Sequence, residues 1–323
     1  MRNSLMTNGS SPKHTSVPNT LVPFIEKYAL DEGVTETAWP GLVVGRSDKP
    51  VPRFPLLYSP SLCIVAQGRK HVYLADDHIV YDPLHYLVVA LPMPLEAEIV
   101  VASPKEPFLA LALEIDVSMV GKMLLEMAEE ELQPETKINP TQAIYASPMT
   151  DDLLEAVVRL LRALEAPVDR RILGPGAVKE ILYHILRGEQ GSFLRALALR
   201  DNGSHRIARI VRFLQNNYNQ SLDISSIARF AGMGNSTLHH AFEKIVGQSP
   251  IQDLKKIRLH QARLMIVSNG LGASEAAYNV GYNNPHSLAG NSNGSLDCLP
   301  AGLLKSYRII GHEHCHHVHG RIA

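Results

Sequence analysis

Thr237, His239, His240 and Lys244 alternate with the apolar residues Leu238, Phe242 and Ile245 at the spacing of a helix with one buried face. Their hydroxyl, imidazole and ammonium groups do hydrogen-bonding chemistry, suited to reading the base edges of a DNA groove. Asn235 and Ser236, just upstream, are candidate caps for that helix and further polar contacts. Two other sets invite a metal. His71, His78 and His85 recur every seven residues, and His312, His314, Cys315, His316, His317 and His319 crowd the C-terminal tail. Imidazole and thiolate are transition-metal ligands. Cys63 lies inside an apolar run, where it is either an oxidant or electrophile sensor or, as is commoner for a strand cysteine, a small apolar filler.

Context weakens both metal sets. Seven is an odd spacing, so along one continuous strand successive members of the first set alternate faces. That region also lacks a dense His-x-His ligand pair, and surface or hydrogen-bonded histidines are expected. The tail cluster belongs to a segment read below as out of frame, so any nickel or zinc there is adventitious. Between residues 1 and 285 no Gly-x-Ser-x-Gly elbow, phosphate loop or dinucleotide fingerprint occurs. The expectation is no catalytic residue, no metal and no cofactor. A metal-dependent cupin-type enzyme stays as one alternative, and a dimerising interaction protein without specific DNA binding as another.

The elements that must position these residues follow two periods. From about Thr37 to Asp116 the text reads as short strands: 61–67, 71–75, 78–81, 85–91, 96–101 and 108–115, punctuated by Gly68, Asp76, Pro83 and Pro92. That pattern predicts an all-β barrel or sandwich. After Asp116, a plausible N-cap, a helical stripe runs through Val120, Met123, Leu124 and Met127. A second helix is expected to open at Ser147-Pro148, with Leu153, Val157, Leu160, Leu161 and Leu164 on one face. A third is expected near Pro175, with Val178, Ile181, Leu182 and Ile185. These helices either carry dimer contacts or seal the sheets. The polar stretch 200–204 marks a domain boundary.

Residues 205–285 have a different build. Ile207, Ile210, Val211 and Leu214 form a first helix, and Asp223 caps a short second one burying Ile224, Ile227 and Ala228. Gly232 provides a sharp turn, Met233 fills the corner, and the helix of His239 and His240 follows. A scaffold helix, a tight turn and a helix with a polar outer face make a helix-turn-helix. Nine basic and four acidic side chains in residues 203–285 leave a net charge of +5, within a chain whose total is −1. Arg206, Lys255 and Arg258 are the expected phosphate contacts. Ser249-Pro250 starts a long helix, and residues 274–285 begin a second scaffold helix with Gly281 at its turn.

Five pieces in this order, Ile227–Met233, Ser236–Phe242, Ser249-Pro250, Arg258–Arg263 and Ala277–Tyr282, resemble the DNA-binding domain of AraC/XylS-type transcription regulators. Pro60–Gly68 and Tyr81–Val89 resemble the cupin-like sensor domain of one AraC-type subgroup. The resemblance covers roughly residues 35–285. It implies two helix-turn-helix units reading adjacent major-groove segments, a barrel that senses a small effector, and dimer contacts.

After Pro285 the resemblance breaks. The family has a second recognition helix of the form Ser-Gln-Phe-Ser-Arg-Glu-Phe-Lys-Arg-Leu-Phe-Gly. Here residues 286–298 are rich in Gly, Ser and Asn, a poor helix. Suitable synonymous codons for 286–298, regrouped from the last nucleotide of codon 285, spell that missing helix. Residues 286–323 thus read as the product of a one-nucleotide loss. Ala276, Ala277 and Val280 are expected to lose their packing partner.

The bulk numbers fit this reading. A chain of 323 residues, 45% hydrophobic and 20% charged, makes about two globular domains. Cys63, Cys298 and Cys315 are too scattered for a disulfide framework, which suggests a cytoplasmic setting. No run is long enough to span a membrane. The expected architecture is α+β: a disordered lead-in (1–34), a cupin-like sensor and dimerisation domain (35–199), a helical DNA-binding domain (200–285) with its second unit incomplete, and the tail (286–323). The expected partners are double-stranded promoter DNA, a small effector, RNA polymerase and a second copy of the chain.

Overall fold

The computed structural model describes residues 17–74, 77–128, 143–188, 191–198 and 202–282. The tail 286–323, with its histidine cluster, Cys298 and Cys315, lies outside the described residues.

Two antiparallel sheets form the N-terminal half. The first has the order β1 (Gly33–Glu36), β2 (Leu42–Ser47), β9 (Phe108–Glu114), β4 (Ser61–Gln67), β7 (His85–Val89), β10 (Ile144–Pro148). The second has the order β3 (Val51–Tyr58), β8 (Met93–Val101), β5 (Arg69–Leu74), β6 (Asp77–Tyr81). The six strands expected between residues 61 and 115 all form. Leu62 to Ala66 of β4 are buried without alternation. A strand becomes apolar on both faces when both faces are covered. Here α1 (Val17–Tyr28) lies across β4 and β9, and Leu21 and Ile25 are fully buried. The expected disordered lead-in is therefore corrected: its apolar stripe gives part of it a helix that seals the sheet.

The trailing helices are α2 (Val117–Ala128), α3 (Asp151–Ala163), α4 (Pro167–Arg187) and α5 (Ser192–Ala198). Asp116 caps α2 as expected, accepting from the Ser118 amide at 2.8 Å. Two expected helix starts are displaced. Ser147 and Pro148 pair with β7 at the sheet edge, where a proline is tolerated. Thr150 caps α3 instead, accepting from the Leu153 amide at 3.3 Å. The third helix begins at Pro167, and Pro175 lies inside it, exposed to solvent. The stripe Leu153, Val157, Leu160, Leu161 and Leu164 is buried as expected.

The C-terminal half is helical: α6 (Asn202–Asn216), α7 (Ile224–Ala231), α8 (Asn235–Val246), α9 (Pro250–Asn269) and α10 (Ala273–Asn279). Ala276, Ala277 and Val280 are fully buried in a small cluster with Ala262 and Tyr282, flanked by Tyr218, Leu259, Met265 and Ile266. The expected loss of their packing partner is corrected, because α9 and Tyr218 cover that face.

Candidate nucleic-acid interface

The polar face of α8 is assembled by its buried one. Leu238 and Phe242 are fully buried and Ile245 nearly so. Each such side chain contributes about 1.5–3 kcal/mol on leaving water. Burying those three holds Asn235, Ser236, Thr237, His239, His240 and Lys244 exposed on the opposite side. The scaffold helix α7 carries a capping box. Asp223 accepts from the Ser226 amide at 2.7 Å, and the Ser226 hydroxyl accepts from the Asp223 amide at 3.1 Å. These bonds hold the Asp223 carboxyl below its usual pKa. Gly232 ends α7 in the left-handed region, φ +64°, and turns the chain toward α8.

The cap of α8 differs from expectation. Gly234 is the N-cap, and Asn235 is already helical, its side-chain amide donating to the Ser225 hydroxyl at 3.3 Å. Asn235 therefore braces the two helices against each other while remaining exposed. His239 Nδ1 lies 3.3 Å from Glu243 Oε2, one turn along.

The expected phosphate contacts divide. Lys255 is exposed on α9 and Arg206 is half-buried on α6. Arg258 is used inside the fold, which corrects its assignment. Its Nε donates to the Tyr218 carbonyl and its Nη2 to the Gln220 carbonyl, both at 2.7 Å, and its guanidinium stands 5.4 Å from the Tyr282 ring centre. It clamps α9 to the loop after α6, because carbonyls closing that loop meet a fork of fixed geometry. Gly281, φ +89°, completes this corner: a Cβ there would meet the Asn219 carbonyl oxygen at 2.6 Å.

The end of α8 touches the sheets. The Ala143 amide donates to the Ile245 carbonyl at 3.0 Å, and the Ala143 carbonyl accepts from the Ala90 amide at 2.7 Å. Leu74 of β5 packs on Gly247. Along α9, Lys256 is half-buried near Glu96 and Arg53 of the second sheet, and burial lowers its pKa. Between these contacts sits a buried pair that sequence reasoning missed. Asp253 accepts from the Gln248 side-chain amide. Its other oxygen, Oδ2, and Gln248 Oε1 have no partner among the described residues. Burial raises the Asp253 pKa to about 7, opposed by Gln248 and by Lys256. A signal existed: an aspartate at a position of α9 otherwise spaced like Leu254 and Ile257.

The first-sheet and second-sheet histidines behave as two groups. His71 and His78 are brought to 5.4 Å between ring centres because they lie on two paired antiparallel strands, β5 and β6, so the odd-spacing rule for one continuous strand does not apply. Burial lowers the His71 pKa, and Glu98 opposes this. His85 instead contacts Asp82 at 3.1 Å. Among the described residues, the only three His, Cys, Asp or Glu donors close enough to share a metal are on α8, outside the sheets. Cys63 is buried and its pKa is raised by burial, so it packs as a neutral thiol. Tyr81, also buried beside Tyr58 and Cys63, is raised well above 10.

Comparison with known proteins gives this arrangement relatives. Residues 38–193 match the family described as AraC-type transcriptional regulator N-terminus. Residues 227–306 match a helix-turn-helix domain family, in a match that runs past Pro285 into the segment read as out of frame. The lactose operon transcription activator of Staphylococcus xylosus is 22% identical over 204 residues, 62% of this chain and 66% of that protein. The virulence regulon transcriptional activator VirF of Yersinia enterocolitica is 22% identical over 181 residues, 56% of this chain and 64% of that protein. The chain thus matches slightly less than two thirds of the length of either curated relative. An apo structure of ToxT from Vibrio cholerae shares the fold with a TM-score of 0.54 at 7% identity, covering 84% of this chain and 100% of that one. ToxT with a bound unsaturated fatty acid gives 0.52 at 9% identity, covering 84% and 97%.

Proposed function

We propose that this chain, whose residues 38–193 match the AraC-type transcriptional regulator N-terminus and whose residues 227–306 match a helix-turn-helix domain, is a sequence-specific regulator of transcription that binds promoter DNA through α8. The observation that carries this reading is the exposed row Thr237, His239, His240 and Lys244, held outward by buried Leu238, Phe242 and Ile245. A row of that kind on the second helix of a helix-turn-helix fits the major groove. Lys255 and Arg206 neutralise phosphates. No described helix is long and apolar enough to cross a membrane.

The effector is a small molecule taken by the two-sheet domain. What supports this is the polar island of Tyr58, Cys63 and Tyr81 inside an otherwise apolar core, with Lys70 Nζ 5.4 Å from the Tyr58 ring centre. ToxT, which shares the fold, has been solved with an unsaturated fatty acid. Two chains associate through α2 and α4, which expose Leu125 on one side and Val168, Ile172 and Leu173 on the other. RNA polymerase is the further partner through which DNA binding becomes regulation.

The test is fluorescence anisotropy on the gene's own upstream DNA, with scrambled DNA as reference. Thr237→Ala and His240→Ala each reduce the preference for upstream DNA, by about 1–3 kcal/mol for each base-edge interaction removed. Lys255→Ala weakens binding to both DNAs equally and lowers the salt slope by about 1. Equal loss on both DNAs from the first two variants would remove α8 as the reading helix.

A further inference from the structure

His239, His240 and Glu243 share one turn of α8, and their donor atoms all lie within 4.8 Å of one another. All three side chains are exposed, so each reorients without disturbing the buried face of Leu238, Phe242 and Ile245. We infer that this turn is a binding site for a divalent transition-metal ion, and that the ion masks the DNA-reading face of α8. The inference rests, for its second half, on the DNA reading proposed above.

Geometry and chemistry both point there. Zinc–ligand bonds of about 2.0–2.1 Å set tetrahedral donor atoms roughly 3.3 Å apart. His239 Nδ1 and Glu243 Oε2 are 3.3 Å apart. The i, i+4 spacing puts them on one helical stripe, and His240 borders it on the same turn. Two imidazoles and one carboxylate suit zinc, nickel or copper, and disfavour calcium and magnesium, which take oxygen ligands. Three protein donors leave coordination positions for water. Once the ion is bound, each imidazole gives one ring nitrogen to the metal and its ring is fixed in that orientation, no longer free to turn toward base edges, and the carboxylate of Glu243 is neutralised. The ion therefore exchanges base-specific contacts for unspecific positive charge.

Zinc binding is measured first without DNA, by calorimetric titration of the full chain, His239→Ala and Glu243→Gln. The tail histidines are common to all three and cancel in the comparison. The expected result is that His239→Ala takes up one zinc equivalent fewer, and that Glu243→Gln holds this equivalent about tenfold more weakly. Identical titrations for the three chains would overturn the site. Anisotropy is then run with zinc and with chelator. Zinc lowers the affinity of the full chain for its upstream DNA about tenfold, and that of Glu243→Gln less than about twofold. An equal zinc effect on both chains would overturn the masking and assign the ion elsewhere. Zinc at this turn in a chain that selects no DNA would overturn the DNA reading and leave the metal site standing.

Discussion

At the scale of single residues, the most consequential group is one buried between the reading unit and the sheets. Asp253 and Gln248 offer each other one hydrogen bond and two orphaned oxygens, Oδ2 and Oε1. A proton on Asp253 satisfies both at once, by closing a carboxylic acid–amide ring. Lys256 on the same helix, and Glu96 and Arg53 on the sheet beyond it, are the charged groups around this joint. A carboxyl whose pKa is raised on folding stabilises below its unfolded value and loses that stability as pH rises through its folded value. For Asp253 the window runs from 3.8 to about 7. The full swing is roughly 4 kcal/mol, as a ceiling. Asp253→Asn keeps both hydrogen bonds at every pH. Denaturant melts at pH 5 and 8 should show the variant more stable than the parent by a margin that grows between the two, because the window opens at 3.8 and closes near 7. A variant that tracks the parent at both would show Asp253 ionised throughout. Arg258 gives the second prediction at this scale. Arg258→Ala removes two charge-assisted bonds and should cost about 1.5–3 kcal/mol of stability. Lys255→Ala should leave the melt unchanged. Equal melts for the two variants would return Arg258 to the phosphate contacts.

At the scale of elements, the angle between α7 and α8 is set by one residue. Gly232 takes φ +64°, and nothing lies within 4 Å of the place its Cβ would occupy. Its substitution therefore tests conformation alone, free of steric crowding. Gly232→Ala should destabilise the helical domain by about 1–2 kcal/mol, read by thermal or denaturant melting. An unchanged melt would mean that the turn relaxes to another geometry. The helix α1 makes a complementary point. Its covering of β4 explains why that strand is apolar on both faces, whereas β5, in the second sheet, alternates buried Val72 and Leu74 with more exposed His71 and Tyr73.

At the scale of the whole molecule, the two halves meet along a backbone path. β7 is linked through Ala90 and Ala143 to the Ile245 carbonyl near the end of α8. Two hydrogen bonds thus separate the end of the first sheet's β7 from α8. The composition of residues 286–298 bears on the same function from the other end. A second reading helix supplies base contacts of about 1–3 kcal/mol each, against a specificity margin of roughly 4–10 kcal/mol. Restoring one nucleotide near codon 285 should therefore tighten binding to the upstream DNA more than to scrambled DNA, at low and at high salt. Equal binding by both forms would mean that the first unit suffices. Resequencing the gene at that codon tests the nucleotide loss directly.

The sequence by itself determined the strands from 61 to 115, the α7–turn–α8 unit and the identity of its outward residues. In each case the information is local: a period of 2 or 3.6, a capping aspartate at 223, a glycine at 232. Its family resemblance likewise rested on short ordered motifs. Tertiary structure decided what depends on distant partners. Pro148 belongs to a strand because β7 has a free edge for it. Arg258 is a clamp because the Tyr218 and Gln220 carbonyls happen to lie within its reach. His71 and His78 meet because β5 pairs with β6. The Asp253 carboxyl is pushed up to about 7 because the tertiary fold buries it completely, a condition that no spacing along the chain encodes.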